Sequence, residues 1–277
     1  MALFISSIAS GSNGNCYYVG NATEAVLIDA GISCREIEAR LQRLQLAIAK
    51  IKAVFISHEH SDHIQGLSVL ARKYSLPVYI TTATYHNGRL KLQGHPVHNF
   101  QDQVPVSIGN LTITPFSKAH DAADPHSFVV SCNGVNAGVF TDIGTPCSKL
   151  AHHFGECHAA FLEANYDEQL LAKGNYPAHL KARIRGGNGH LSNRQALEVF
   201  KKYKSPNLSH LLLAHLSKNN NCPKLVQNLF STHAGNTEII IASRYEASQV
   251  YKVTMRALPE TRVAHYNTTV SQLSFSF

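Results

Sequence analysis

The sequence predicts a layered α/β domain, on three observations. Short apolar runs rich in strand-forming residues recur along the chain. Segments with helical spacing alternate with them, and no repeat, low-complexity tract or linker breaks the alternation. In order, AVLIDAG (25–31) reads as a strand ending in an acidic turn, and residues 35–46 carry helical periodicity. AVFIS (53–57) is a buried strand, and HIQGLSVLARKY (63–74) continues from its loop as a helix. After Pro77 comes a short strand, VYIT. Further strands are expected at LTITPF (111–116), SFVVSC (127–132), NAGVFTD (136–142), AAFLEAN (159–165) and HLLLAH (210–215), with a final pair at TEIII (237–241) and QVYKV (249–253). LSNRQALEVFKKY (191–203) reads as a helix with Ser192 as its N-cap. One domain over residues 1–260 and a tail over 261–277 is the economical division.

A chain of 277 residues that is 44% hydrophobic and 16% charged can bury a sizeable core. Its first residues lack a basic n-region and run into a Gly-Ser turn, which argues against a signal peptide. No apolar stretch approaches the ~20 residues of a membrane span. Six scattered cysteines without a CxxC pair read as reduced thiols of a cytoplasmic protein. The formal charge of +7 fits either a merely basic protein or one with a polyanionic partner. Lysine and arginine do gather, at Lys181, Arg183 and Arg185 and again at Lys201, Lys202 and Lys204.

The densest chemistry lies in FISHEHSDHIQG (55–66), where three histidines and an aspartate follow an apolar run. A strand that ends in a loop displays its last side chains at the rim of a sheet. His58 and His60, two apart in extended chain, can point the same way, while the loop turns Asp62 and His63 to a neighbouring point. Imidazole and carboxylate are ligands for divalent transition metals, and two groups splayed from one loop suit two ions better than one.

HEHSDH matches the HxHxDH motif and so resembles the metallo-β-lactamase superfamily, which implies a four-layer αββα sandwich. The family's later ligands find matches at further strand ends: His120 in FSKAHDA, Asp142 in VFTDIG and His215 in LLLAHLS. The resemblance implies one site of His58, His60 and His120, a second of Asp62, His63 and His215, and Asp142 shared between them. Aspartate at 142 argues against the lactam-cleaving branch, and Glu59 is expected to point away. Two divalent ions, zinc or manganese, roughly 3.5–4 Å apart would hold a bridging hydroxide for in-line attack on phosphorus.

GNGHLSN (187–193) is similar to the Gly-His-Ser/Thr segment of the phosphodiesterase branch, which implies that His190 reaches the scissile phosphate beside a helix N-terminus open to an anion. Together with SGSNGNC (10–16) and LLAHLSKNNN (212–221), these segments resemble the WalJ/YycJ-type subfamily, implying a 5′-to-3′ exonuclease acting on DNA. One departure is Tyr166, in Asn165-Tyr166-Asp167, where that subfamily is expected to carry histidine. In the implied mechanism Asp62 orients the attacking oxygen and takes its proton, and His190 supports the leaving oxygen. Lys181, Arg183 and Arg185 would neutralise flanking phosphates, with Ser12, Asn15, Ser192, Asn219 and Asn220 as further candidate substrate contacts. Asn219 and Asn220 serve equally well to hold the His215 loop. The alternatives are an RNase or small-phosphodiester hydrolase of the same fold, a glyoxalase-II-like thioesterase, and a non-catalytic metal-stabilised scaffold. The tail QLSFSF, Gln272 to Phe277, reads as an edge strand with Leu273, Phe275 and Phe277 on one face. It also resembles the bacterial sliding-clamp-binding motif.

Overall fold

The computed structural model describes residues 2–255, so the tail, whether strand or clamp peptide, lies outside the described residues. Two seven-stranded sheets carry the chain. The first holds β1 (Leu3–Ala9), β2 (Cys16–Gly20), β3 (Ala25–Ile28), β4 (Ile51–Phe55), β5 (Val78–Tyr79) and β6 (Val97–His98). The second holds β7 (Val106–Ile108), β8 (Leu111–Ser117), β9 (His126–Cys132), β10 (Val135–Phe140), β11 (Ala159–Glu163), β12 (His210–Ala214) and β13 (Glu238–Ile241). The last strand, β14 (Tyr251–Val253), returns to the first sheet and pairs antiparallel with β1, Leu3 opposite Val253. TEIII and QVYKV are therefore strands but not partners; β13 lies parallel to β12 in the other sheet. Each sheet is antiparallel at one side and parallel at the other, the parallel parts running β3 to β6 and β10 to β13.

Period-two alternation sorts the strand residues into three apolar layers. Val26, Ile28, Phe55, Val130, Phe161 and Leu212 face between the sheets. Ala25, Leu27 and Val54 face outward onto α1 (Cys34–Arg43) and, across the short α2 (Ser61–Ile64), onto α3 (Leu67–Tyr74). The small helix α4 (Thr82–Asn87) follows β5. On the other side Phe140, Leu162, Leu211 and Leu213 face α5 (Ser148–Gly155), α8 (Asn193–Tyr203) and α9 (Pro223–Ser231). Between those helices in sequence lie α6 (Glu168–Lys173) and α7 (Ala178–Arg185), near the catalytic rim. The result is the expected αββα sandwich. Covered on both faces, strands such as β3 are buried at every position, which explains their unbroken apolar sequence.

The helix read over residues 63–74 is broken. Gly66 leaves the helical ladder and donates its N–H to Ala30 O (2.8 Å), and a Cβ there would stand 2.0 Å from Ile32 O. The break lets α2 carry Asp62 and His63, two of the candidate ligands, while α3 packs against the sheet. By contrast α8 begins where expected. Ser192 Oγ accepts the Gln195 N–H and Gln195 Oε1 accepts the Ser192 N–H, a closed capping box. Ser192→Ala is expected to cost about 1 kcal/mol of unfolding free energy in urea titration.

Candidate active site

Six strand ends converge on one rim, at and beneath a common cleft. Asp29 follows β3, His58 follows β4, His120 follows β8, Asp142 follows β10, Glu163 closes β11 and His215 follows β12. Asp29, Asp142 and His215 adopt left-handed backbone, with φ of 64°, 55° and 55°. Such geometry costs a non-glycine residue about 1–3 kcal/mol and marks an over-determined site. The His215 N–H is held by Ser10 Oγ at 2.7 Å, which ties this turn to the glycine-rich segment after β1.

Two donor sets lie side by side. The ring nitrogens of His58, His60 and His120 lie within 4.8 Å of one another, as do ligand atoms of Asp62, His63 and His215. Asp142 stands between them: its Oδ2 is 3.3 Å from His63 Nε2 and its Oδ1 is 3.2 Å from His215 Nδ1. The structure thus brings together all seven side chains singled out as ligands. Glu59 turns away, accepting the Ala123 N–H at 2.8 Å.

The surrounding hydrogen bonds fix which nitrogen of each ring is bare. His63 Nδ1 donates to Asp29 Oδ2 (2.7 Å), His120 Nδ1 to Gly189 O (3.0 Å) and His215 Nδ1 to Glu163 Oε1 (2.9 Å). Ser57 Oγ donates to Asp29 Oδ2 (2.8 Å) and so accepts from His58 Nδ1 (2.9 Å). In each of these four rings the hydrogen bond at Nδ1 leaves Nε2 as the nitrogen turned inward. His58 Nε2 lies 3.1 Å and His120 Nε2 3.4 Å from His60 Nδ1, so three nitrogens crowd one point. Among the described residues Asp142 Oδ2 and His215 Nε2 are buried with no hydrogen-bond partner. Convergent lone pairs and orphaned buried atoms are what a cation would satisfy, and the donor set fits divalent metal.

The electrostatics agree. Burial pushes His58 well below the usual imidazole range and His120 down to about 4, so both stay neutral, as ligation requires. Burial opposes charge on His63 and His215 too, but Asp142 and neighbouring carboxylates hold both above the usual range. That end of the site therefore calls for positive charge. Burial alone would raise Glu163, yet contacts with His190 and His215 bring it down to about 2. Lys118, also buried, donates Nζ to Thr141 O at 2.7 Å and so joins the loops that carry His120 and Asp142.

The cleft above these groups has a volume of about 350 Å³ and includes Ser12, Asp62, Asn165, Tyr176, Arg183 and His190 in its lining. His190 Nδ1 sits 2.8 Å from Glu163 Oε1, which leaves Nε2 for the cleft. Other candidate contacts are placed differently. Asn15 is fully buried and supports the ligand loop, donating to Asp62 Oδ2 at 3.2 Å. Ser192 is fully buried and spends its hydroxyl on the capping box and Glu168, so it belongs to the fold rather than the cleft. The helix N-terminus beside His190 is closed as well: the Asn193 N–H goes to Tyr166 O and that of Gln195 to Ser192. Arg183 is exposed beside the cleft but ion-paired with Asp121, Lys181 donates to Ala172 O, and Arg185 is exposed on α7. Asn220 is buried and donates to Ser217 Oγ, holding the His215 loop, whereas Asn219 is exposed and donates to the Tyr176 hydroxyl. Tyr166 is buried away from the cleft, and Asn165 reaches the site instead, donating to His215 O at 2.9 Å.

Sequence reasoning missed Asp29 and Glu163, although each is an acid closing an apolar run, the same signal that picked out Asp142. It also missed the tight approach at Gly31, where a Cβ would stand 1.7 Å from Asp62 O. Gly31→Ala is expected to displace the ligand loop, lower stability by roughly 1–3 kcal/mol and reduce metal uptake, read by urea titration and metal analysis.

Two mixed sheets between helices, with histidines and carboxylates at the strand ends, define a metal-dependent hydrolase. The chain belongs to the metallo-β-lactamase superfamily, its residues 24–216 matching the family model described as a beta-lactamase superfamily domain. Within it, the chain is 34% identical to the exodeoxyribonuclease YycJ of Bacillus anthracis, over 82% of this chain and 87% of that protein. It is 32% identical to the exodeoxyribonuclease WalJ of Streptococcus pneumoniae serotype 2, over 79% and 84% of the two. In fold it is similar to the metallo-beta-lactamase fold protein YhfI from Bacillus subtilis, with a TM-score of 0.70, 18% identity, and 91% and 100% of the two chains covered.

Proposed function

We propose that the chain is a dinuclear metal-dependent exonuclease that removes nucleotides from the 5′ end of DNA in the cytoplasm. The observation that supports it most is the inward convergence of bare ring nitrogens on two adjacent donor sets; the relatives' exodeoxyribonuclease activity supports the choice of substrate. His58, His60 and His120 would hold one ion, and Asp62, His63 and His215 the other, with Asp142 touching both. Two such ions would supply Lewis acidity to a phosphoryl oxygen and lower the pKa of water. The protein does the rest. Asp62, one-fifth exposed to the cleft and steadied by Asn15, orients the attacking water and takes its proton. His190, aimed by Glu163, donates from Nε2 to the departing oxygen.

Single- and double-stranded DNA and RNA, labelled at either end, should be digested with zinc or manganese supplied. Release of 5′-terminal nucleotides from DNA is expected; preference for RNA, internal cleavage, or hydrolysis of S-lactoylglutathione instead would contradict the reading. Asp62→Ala should abolish turnover, and a variant with full metal-dependent nuclease activity would refute its role. The clamp-binding reading of Gln272 to Phe277 belongs to the same proposal, supported by its Gln-Leu start and apolar end. Failure of a peptide covering Ser271 to Phe277 to bind a sliding clamp would dispose of it.

A further inference from the structure

Beside the catalytic cleft lies a second cavity of about 320 Å³, lined in part by Ser10, Leu216, Lys218, Arg244 and Tyr245. Ser217 lines both, so the two adjoin. Arg244 is half-buried here, between the glycine-rich segment and the His215 loop. Its Nη1 donates to Asn13 Oδ1 at 3.2 Å and its Nη2 to Leu216 O. Gly11, with φ of 144°, makes the room: a Cβ there would stand 3.0 Å from Arg244 Nη2.

A guanidinium has five donors, and these two bonds leave three. Arg40, Arg183 and Arg194 each have a carboxylate partner within 4.0 Å; among the described arginines without one, Arg35, Arg43, Arg72, Arg89 and Arg185 are exposed, and Arg244 alone is half-buried. An arginine held by neutral acceptors in the wall of a cavity keeps donors that an anion can use. Next to it Tyr245 is 71% exposed, which is unusual for a residue that gains so much from burial. Its backbone is nonetheless fixed, because the buried Arg40 donates to Tyr245 O at 3.0 Å and to Ile8 O at 2.9 Å. An exposed aromatic side chain on an anchored backbone, beside a cation, suits a base and its phosphate.

We propose that this cavity is a second nucleotide subsite, in which Arg244 holds a strand phosphate neighbouring the one cleaved and Tyr245 stacks a base. The subsite rests on the nuclease reading above, and it accounts for the SGSNGNC segment, whose Gly11 and Asn13 seat Arg244.

Arg244→Gln and Tyr245→Ala are to be compared with the unmodified protein on a short single-stranded DNA and on bis-p-nitrophenyl phosphate, which is too small to reach the cavity. The ratio of kcat/KM for DNA to that for the small ester is expected to fall about tenfold in each variant. The salt slope of DNA binding should become shallower by about 0.7 in Arg244→Gln only. Tyr245 is exposed, so its variant folds whatever the fate of Arg244. An unchanged ratio on a working nuclease, whether both activities persist or fall together, overturns the subsite alone. An unmodified protein that cleaves the small ester but no nucleic acid overturns the nuclease reading and the subsite with it.

Discussion

Asp142→Ala is expected to lose bound metal and to lower turnover by more than about 10²-fold, beyond the effect of residues that only support a ligand. Asp142 is nearly fully buried between the two donor sets, 3.3 Å from His63 and 3.2 Å from His215. Removing it takes away the charge that favours cations at both positions and opens a gap between the rings. Asp142→Asn keeps the shape and deletes the charge, so comparing the two variants separates electrostatics from packing. Metal content after dialysis and kcat on a phosphodiester are the measurements. Full metal content and full turnover in either variant would contradict the shared role.

His190→Ala is expected to behave differently, with both ions retained but kcat on DNA lowered by roughly 10²–10⁴-fold, the range for a lost general acid. The ring lies over the cleft with Nδ1 committed to Glu163, so its free nitrogen can serve only what enters from outside. The loss should be far smaller on bis-p-nitrophenyl phosphate, whose leaving group departs without a proton. Equal losses on both substrates would show that the histidine positions the substrate rather than protonating the leaving oxygen.

Much of this candidate site was legible in the sequence because its candidate ligands share one local signature, a polar donor closely following a buried apolar run. His58, His120, Asp142 and His215 all carry it, and the short spacing from His58 to His63 supplies the rest. The central strands were legible for the same reason, since sheets covered on both faces need unbroken apolar runs, whereas the short, partly exposed β6 and β7 lack such runs and were not. What was not legible depends on partners distant in the chain. Nothing local pairs QVYKV with β1, or tells that Gly66 must leave its helix to reach Ala30. Asp29 reads as a turn acid and Glu163 as a strand residue until His63 and His215 are seen against them. Charge counting favoured Arg183, whose charge is answered by Asp121, over Arg244, whose charge is not. Asn15 and Ser192 read as candidate substrate contacts, yet their polar atoms are consumed inside the fold, Ser192 as the N-cap it was also expected to be.

The most direct test is a metal-reconstituted crystal, with ions located by anomalous diffraction and counted by elemental analysis. Two divalent ions per chain are expected, one among His58, His60 and His120 and one among Asp62, His63 and His215, both touching Asp142. A single ion, or ions found only at an exposed cluster such as His152, His153 and Glu156, would contradict the dinuclear centre on which the proposed chemistry depends.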